Sequence, residues 1–210
     1  MTVWLLIILW LIDFLIESFI ALTIIEQLSL IVGIKLLLLS ELMLSFARSW
    51  CYINHRLVGS VLLLFYFPLL SSYSFSIPFT NLLILLFPSL PIQCSQLYIK
   101  IGFNNYSIEG IAQSLSAGFY SIILQCKEFS YPYFNLTDCL IGSTYYLTTG
   151  LHGFHVLSGP FLFYITLFYI VFSSISPFYF MEFPFPLFLS THHWHFVDFI
   201  WLTVLLLFMV

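Results

Sequence analysis

The sequence predicts an all-α protein, a polytopic transmembrane bundle of about six helices. Of its 210 residues, 61% are hydrophobic and only 7% are charged, and the mean hydropathy is +1.07. A soluble domain carries roughly 25% charged residues. A membrane span takes about 20 apolar residues, so a chain of this length holds at most about seven helices with short loops. The formal net charge of −4 offers no basic patch, and no nucleic-acid partner is predicted.

The first helix is predicted within residues 1–26. An apolar run begins at Val3, and Asp13 and Glu17 stand four apart, so they share one helical face. No basic leader precedes the run, so we expect insertion where the chain is made, in a bacterium or inside an organelle.

The second span is predicted at 28–50, and three charged side chains lie inside it: Lys35, Glu41 and Arg48. Glu41 and Arg48 face the same way but stand about 10 Å apart along the helix axis, so each needs a partner elsewhere. A carboxyl group in hydrocarbon is expected to be protonated or hydrogen-bonded. Two interpretations of Glu41 stay open, a role at lipid head groups or in proton entry, and a purely structural role. The short apolar run at 57–70 is predicted to be interfacial.

Four further spans are predicted, at residues 78–99, 108–128, 138–172 and 187–209. Pro88 and Pro91 interrupt the first of these, because each proline deletes a backbone donor. Gln93 and Gln96 are candidates for satisfying the freed carbonyl groups. The 138–172 helix would be about 50 Å long, so it should tilt, protrude or bend at Pro160.

The last third of the chain concentrates polar groups on two apolar helices. His152 and His155 stand three apart, and so do His195 and Asp198, so each pair shares a helical face. A polar group in hydrocarbon is costly unless it meets a partner in the protein. These two helices are therefore predicted to pack together within the bundle.

Six histidines on membrane helices admit more than one interpretation. Haem ligation needs axial histidines on two facing helices, and His152, His155 and His195 are candidates for it. A diiron site of the desaturase type needs more His boxes than this chain has. We favour hydrogen-bonded contacts between helices, with no metal and no catalytic residue in this chain.

Several of these motifs closely resemble those of cytochrome c oxidase subunit III. One is G-S-T with two aromatics and then T-G-x-H-G-x-H-V, carried by Gly142, Ser143, Thr144, Tyr145, Tyr146, Thr149, Gly150, His152, Gly153, His155 and Val156. Another is W-H-F-V-D-x-x-W, carried by Trp194, His195, Phe196, Val197, Asp198 and Trp201. A third is W-x-x-D-x-x-x-E-S, carried by Trp10, Asp13, Glu17 and Ser18.

The resemblance implies a division of the chain and a set of site residues. Residues 1–26 would be the equivalent of the family's second helix, and 27–210 its five-helix bundle. The family's seven-helix fold would lack its first helix here, unless a separate small chain supplies it. The family's intramembrane glutamate falls on Glu41, and its L-Q-x-x-E motif on Gln125 and Glu128. The implied lipid-binding or proton-related residues are Glu41, Trp10, Asp13 and Glu17, and the implied structural polar contacts are His152, His155, His195, Asp198 and Glu128.

The resemblance also implies a function that belongs to a complex, the terminal respiratory oxidase. There cytochrome c is oxidised, oxygen is reduced to water and protons are pumped. Haem a and copper would lie in subunits I and II, and this chain would pack on subunit I beside accessory subunits and order membrane lipid. The resemblance allows bound phospholipid, but Ile12 and Ile16 stand where the family carries arginines, which argues against phospholipid binding of the family's type in this chain.

Two alternatives to this function stay open. One is subunit III of a quinol oxidase, and the other is an unrelated haem-binding or transport bundle. The expected location is the mitochondrial inner membrane, as a multi-pass protein, with the bacterial plasma membrane as the alternative.

Overall fold

A computed structural model describes residues 24–57, 76–130, 135–137, 140–175 and 185–209. This part of the chain forms six helices: α1 (Ile24–Leu57), α2 (Ser76–Leu86), α3 (Ser89–Ile101), α4 (Asn104–Ser130), α5 (Leu140–Ile175) and α6 (Phe185–Met209). The described ranges contain no β-strand, and the predicted all-α class is confirmed. Three of the predicted site residues, Trp10, Asp13 and Glu17, lie outside the described residues, as does the run after Leu57.

Three stretches are long and apolar enough to cross a membrane. They are Leu28–Asn54 in α1, Ile77–Ile101 across α2 and α3, and Gly142–Val171 in α5. α4 and α6 are 27 and 25 residues long, which also exceeds the length of a typical span. The chain is therefore a transmembrane helical bundle.

The break between α2 and α3 falls at Phe87 and Pro88, where a proline interruption is expected. The Trp194 indole nitrogen donates to the Leu85 carbonyl oxygen at 3.0 Å, and Ser89 Oγ donates to the Leu86 carbonyl oxygen at 2.7 Å. These two side chains therefore provide hydrogen-bond donors for the carbonyl groups next to the break. The prediction for the glutamines is wrong, because Gln93 is exposed and Gln96 donates to the Thr191 hydroxyl at 2.8 Å.

α4 is the central helix and packs against α2, α3 and α5. A buried stripe with a spacing of three or four residues runs along it: Ser107, Ile111, Ser114, Gly118, Ser121, Gln125 and Glu128. Small residues let helices approach closely in a membrane. A Cβ at Gly118 would lie 2.7 Å from Pro160 Cγ. The backbone of α4 at Gly118 therefore packs directly against the proline ring of α5.

α5 runs through Pro160 as one helix of 36 residues and packs between α4 and α6. The Trp194 ring of α6 covers Gly159 of α5, since a Cβ there would lie 2.7 Å from Trp194 Cζ3. α1 packs on the outside of this bundle, mainly against α5 and α6, and exposes most of its apolar side chains.

Candidate functional site

Glu41 is the acidic residue that links α1 to the rest of the bundle. Its Oε2 atom lies 3.8 Å from Nδ1 of His155 on α5. His193 of α6 also contacts His155. Its Nε2 atom lies 3.3 Å from the His155 carbonyl oxygen and 2.8 Å from Ser158 Oγ. A carbonyl oxygen only accepts, so Nε2 of His193 carries the hydrogen in this bond. We call these four residues the Glu41 cluster.

Arg48 follows Glu41 two helical turns later on α1. Its side chain is half-buried, and its Nε and Nη1 atoms are buried without a hydrogen-bond partner among the described residues. Both charged groups of α1 are incompletely satisfied within the described part of the chain: Glu41 Oε2 approaches His155 but forms no hydrogen bond there, and those two nitrogen atoms of Arg48 have no partner.

His152 lies in the interior and has different neighbours from His155. It is 1% exposed, and its ring stacks on Trp201 of α6 with centroids 4.5 Å apart and planes inclined by 25°. The Trp201 indole nitrogen donates to the Pro78 carbonyl oxygen at 3.2 Å. His152 therefore contributes to a packed junction of α2, α5 and α6, whereas His155 faces α1.

Glu128 occupies the end of the α4 stripe. The Tyr145 hydroxyl donates to Glu128 Oε1 at 3.2 Å, and one helical turn away Gln125 Nε2 donates to the Thr149 carbonyl oxygen at 3.0 Å. Buried amide and carboxyl groups of this kind hold membrane helices together. The two motif residues Gln125 and Glu128 thus join α4 to the start of α5.

Asp198 and His195 differ in their surroundings. Asp198 is buried, on the face of α6 that also carries Trp194 and Trp201. His195 is half-buried, and its ring forms no hydrogen bond to any residue that the structure describes. The structural role assigned to His195 stays a prediction.

Sequence reasoning missed three polar residues of these junctions. His193 and Ser158 join the Glu41 cluster, and Tyr145 meets Glu128. A signal existed for two of them, because His193 belongs to the H-H-W-H run and Tyr145 to the aromatic pair after G-S-T. Ser158 has no distinguishing pattern.

The same histidines are the candidates for metal ligation. Within the described ranges, no group of three or more His, Cys, Asp or Glu side chains is placed to hold a metal ion. His152 is held by its stack on Trp201 and by complete burial. The expectation that this chain carries no metal stays a prediction.

Replacing Tyr145 with phenylalanine is expected to lower the free energy of unfolding by about 1–3 kcal/mol, because the buried Glu128 carboxyl loses its donor. Thermal melting of the detergent-solubilised protein measures the change. Tyr164→Phe is the matched control, since Tyr164 lies on the same helix and is 59% exposed. Equal melting temperatures for the two variants would contradict a structural bond between Tyr145 and Glu128.

Comparisons with known proteins agree with the motifs. A family described as cytochrome c oxidase subunit III matches residues 1–210. The chain is 31% identical to cytochrome c oxidase subunit 3 of Cyanidium caldarium over 179 residues, which cover 84% of this chain and 65% of that relative. For the same subunit of Prototheca wickerhamii the identity is 29%, over 84% of this chain and 67% of the relative. For Anopheles quadrimaculatus it is 28%, over 81% and 64%. The chain therefore spans about two thirds of the length of these curated relatives.

Proposed function

The chain belongs to the cytochrome c oxidase subunit III family, and we propose that it serves as a non-catalytic core subunit of the terminal respiratory oxidase. The match of the family over residues 1–210 carries this proposal. In the assembled complex, cytochrome c would be oxidised, oxygen reduced to water and protons pumped, with haem a and copper in subunits I and II. The relatives from algae and an insect favour the mitochondrial inner membrane as its location.

The exposed face of α1 supports a role in contacts with lipid or with subunit I. This face carries large apolar side chains along the whole helix: Leu28, Val32, Leu36, Leu39, Met43, Phe46 and Trp50. A contiguous apolar surface on a membrane helix is compatible with hydrocarbon or with another apolar helix. We therefore propose that this face meets phospholipid acyl chains or subunit I, and that accessory subunits assemble beside it.

For Glu41 we propose a structural role that tethers α1. The carboxyl group lies 3.8 Å from the His155 ring, and the same histidine's backbone carbonyl accepts from His193. A polar contact in hydrocarbon favours association because water does not compete for the groups. A further role in proton entry or at lipid head groups would require that this contact open.

The variants Glu41→Gln and His155→Ala are expected to leave the haem content of the complex unchanged. Both should reduce the yield of assembled complex or shorten its active lifetime, because α1 loses its polar contact with α5. Native gels and reduced-minus-oxidised spectra provide the two measurements. Glu109→Gln is the matched control, since Glu109 is an exposed glutamate on α4. Loss of a haem signal in His155→Ala alone would overturn the structural role.

Native purification in mild detergent tests the proposed function directly. The purified band is analysed by peptide identification of co-migrating chains, by a reduced-minus-oxidised spectrum, and by oxidation of reduced cytochrome c against oxidation of a quinol. Haem a bands together with subunits I and II are expected, with cytochrome c as the donor. Migration of the chain by itself would refute membership of an oxidase complex, and quinol oxidation without cytochrome c oxidation would refute the donor.

A further inference from the structure

The junction of α2 and α6 has a fixed register. Two tryptophan side chains of α6 donate to carbonyl oxygens of α2, Trp194 to Leu85 at 3.0 Å and Trp201 to Pro78 at 3.2 Å. Both pairs span seven residues, in opposite chain directions, so the two helices run antiparallel. Two bonds about two helical turns apart leave little freedom for one helix to slide along the other.

This register places Asn81 of α2 and Asp198 of α6 at the same height along the two helix axes. Asn81 lies three residues after Pro78, and Asp198 lies three residues before Trp201, so each is one turn from the same hydrogen bond. His152 of α5 joins them from a third side, because its ring stacks on Trp201. The three side chains are 0%, 7% and 1% exposed, respectively for Asn81, Asp198 and His152.

Five polar atoms of these three side chains are buried without a hydrogen-bond partner in the described part of the chain. They are Oδ1 and Nδ2 of Asn81, Nδ1 and Nε2 of His152, and Oδ1 of Asp198. Buried polar groups in native proteins are almost always satisfied, by protein or by ordered water. Five such atoms within one junction therefore require a common explanation.

We propose that Asn81, His152 and Asp198 form an internal water-binding site at the junction of α2, α5 and α6. The five atoms include both donors and acceptors, because an amide and a neutral imidazole each offer both. A cation would satisfy only the acceptors and an anion only the donors, whereas water satisfies both kinds. A buried water makes about two to four hydrogen bonds, so the five atoms need at least two waters.

The site needs a small opening between α2 and α6, because none of the five atoms borders a water-sized gap. α2 is the shortest of the three helices at this junction, with 11 residues, and it ends at the break before Pro88. The waters would occupy the space opened where α2 and α6 separate at the level of Asn81, and the Trp201 bond to Pro78, at 3.2 Å, would lengthen as they do. The site belongs to the helix bundle itself and does not depend on the proposed function.

A cryo-electron microscopy map of the protein, in whichever native assembly it is purified, tests the proposal at a resolution that shows ordered water. Density bridging the Asn81 amide to the His152 ring or the Asp198 carboxyl is the expected result. Ordered side chains with no density between them, or a direct bond from the Asn81 amide to the Asp198 carboxyl, would overturn it.

Thermal melting of Asn81→Leu gives a second, independent readout. With water bound, the leucine displaces it and leaves His152 and Asp198 unsatisfied, so the melting midpoint shifts down by a few degrees. In a dry junction, leucine replaces an unsatisfied amide by an apolar group of similar size, and the midpoint stays or rises. Thr166→Val calibrates the scale, because the Thr166 hydroxyl is buried and already bonded to the carbonyl oxygens of Leu162 and Pro186. A melting midpoint of Asn81→Leu that equals or exceeds that of the wild type would reject the water site independently of the map.

Discussion

Replacing Trp194 with alanine should destabilise the bundle strongly, by about 3–5 kcal/mol. The indole is fully buried, packs on Phe163 with ring centroids 5.1 Å apart, and donates to Leu85 beside the break between α2 and α3. Its removal would leave a large cavity at the junction of α2, α5 and α6 and an unsatisfied carbonyl group. The melting midpoint of the purified protein and the fraction of chain in the assembled complex are the measurements.

Trp50→Ala provides the matched control for this truncation. Trp50 is 57% exposed on α1, so its removal creates no internal cavity. We expect its melting midpoint to lie close to that of the wild type. Comparable drops in the melting midpoint of the purified protein from the two substitutions would contradict the central position of Trp194.

The second large effect is expected from Gly159→Ala, by about 1–3 kcal/mol through overpacking. A Cβ at this position would lie 2.7 Å from Trp194 Cζ3 and 2.8 Å from Cε3. The indole cannot retreat freely, since its nitrogen is bonded to Leu85. α5 and α6 would therefore have to separate, and thermal melting should record the loss.

Gly150→Ala is the control on the same helix, because a Cβ there meets no atom within 4 Å. Alanine at that site should be neutral or slightly stabilising, since it favours the helix over glycine. A double-mutant cycle sharpens the test: in a Trp194→Ala background, Gly159→Ala should cost far less, because the clash has gone. Additive losses would show that the two residues do not contact each other.

The helices themselves were largely predictable from the sequence. Long apolar runs with few charges indicate membrane helices whatever their partners, and the predicted spans 28–50 and 108–128 lie within α1 and α4. The break near Pro88 was predictable for the same local reason, since proline lacks a backbone donor. The ends of the helices were less predictable, because α1 continues to Leu57 and α4 begins at Asn104, both beyond the predicted spans.

The partners of the polar groups could be predicted only in part. Spacing places His152 and His155 three apart but does not reveal that one stacks on Trp201 while the other meets Glu41, 114 positions earlier in the chain. Beside the break at Pro88, the Leu85 carbonyl group accepts a hydrogen bond from Trp194, which lies 109 residues further along the chain. Local sequence favours nearby glutamines for that task, whereas packing of the whole bundle decides it.

The peripheral position of α1 has a consequence for how the protein is made. α1 leaves the ribosome before α5 and α6, yet those are the helices against which it mainly packs. During synthesis it therefore enters the bilayer before the helices that carry His155 and His193 are available to Glu41. The contact between Glu41 and His155 can thus form only after α5 has been inserted, and until then an insertase or chaperone is the kind of partner that could shield this carboxyl group.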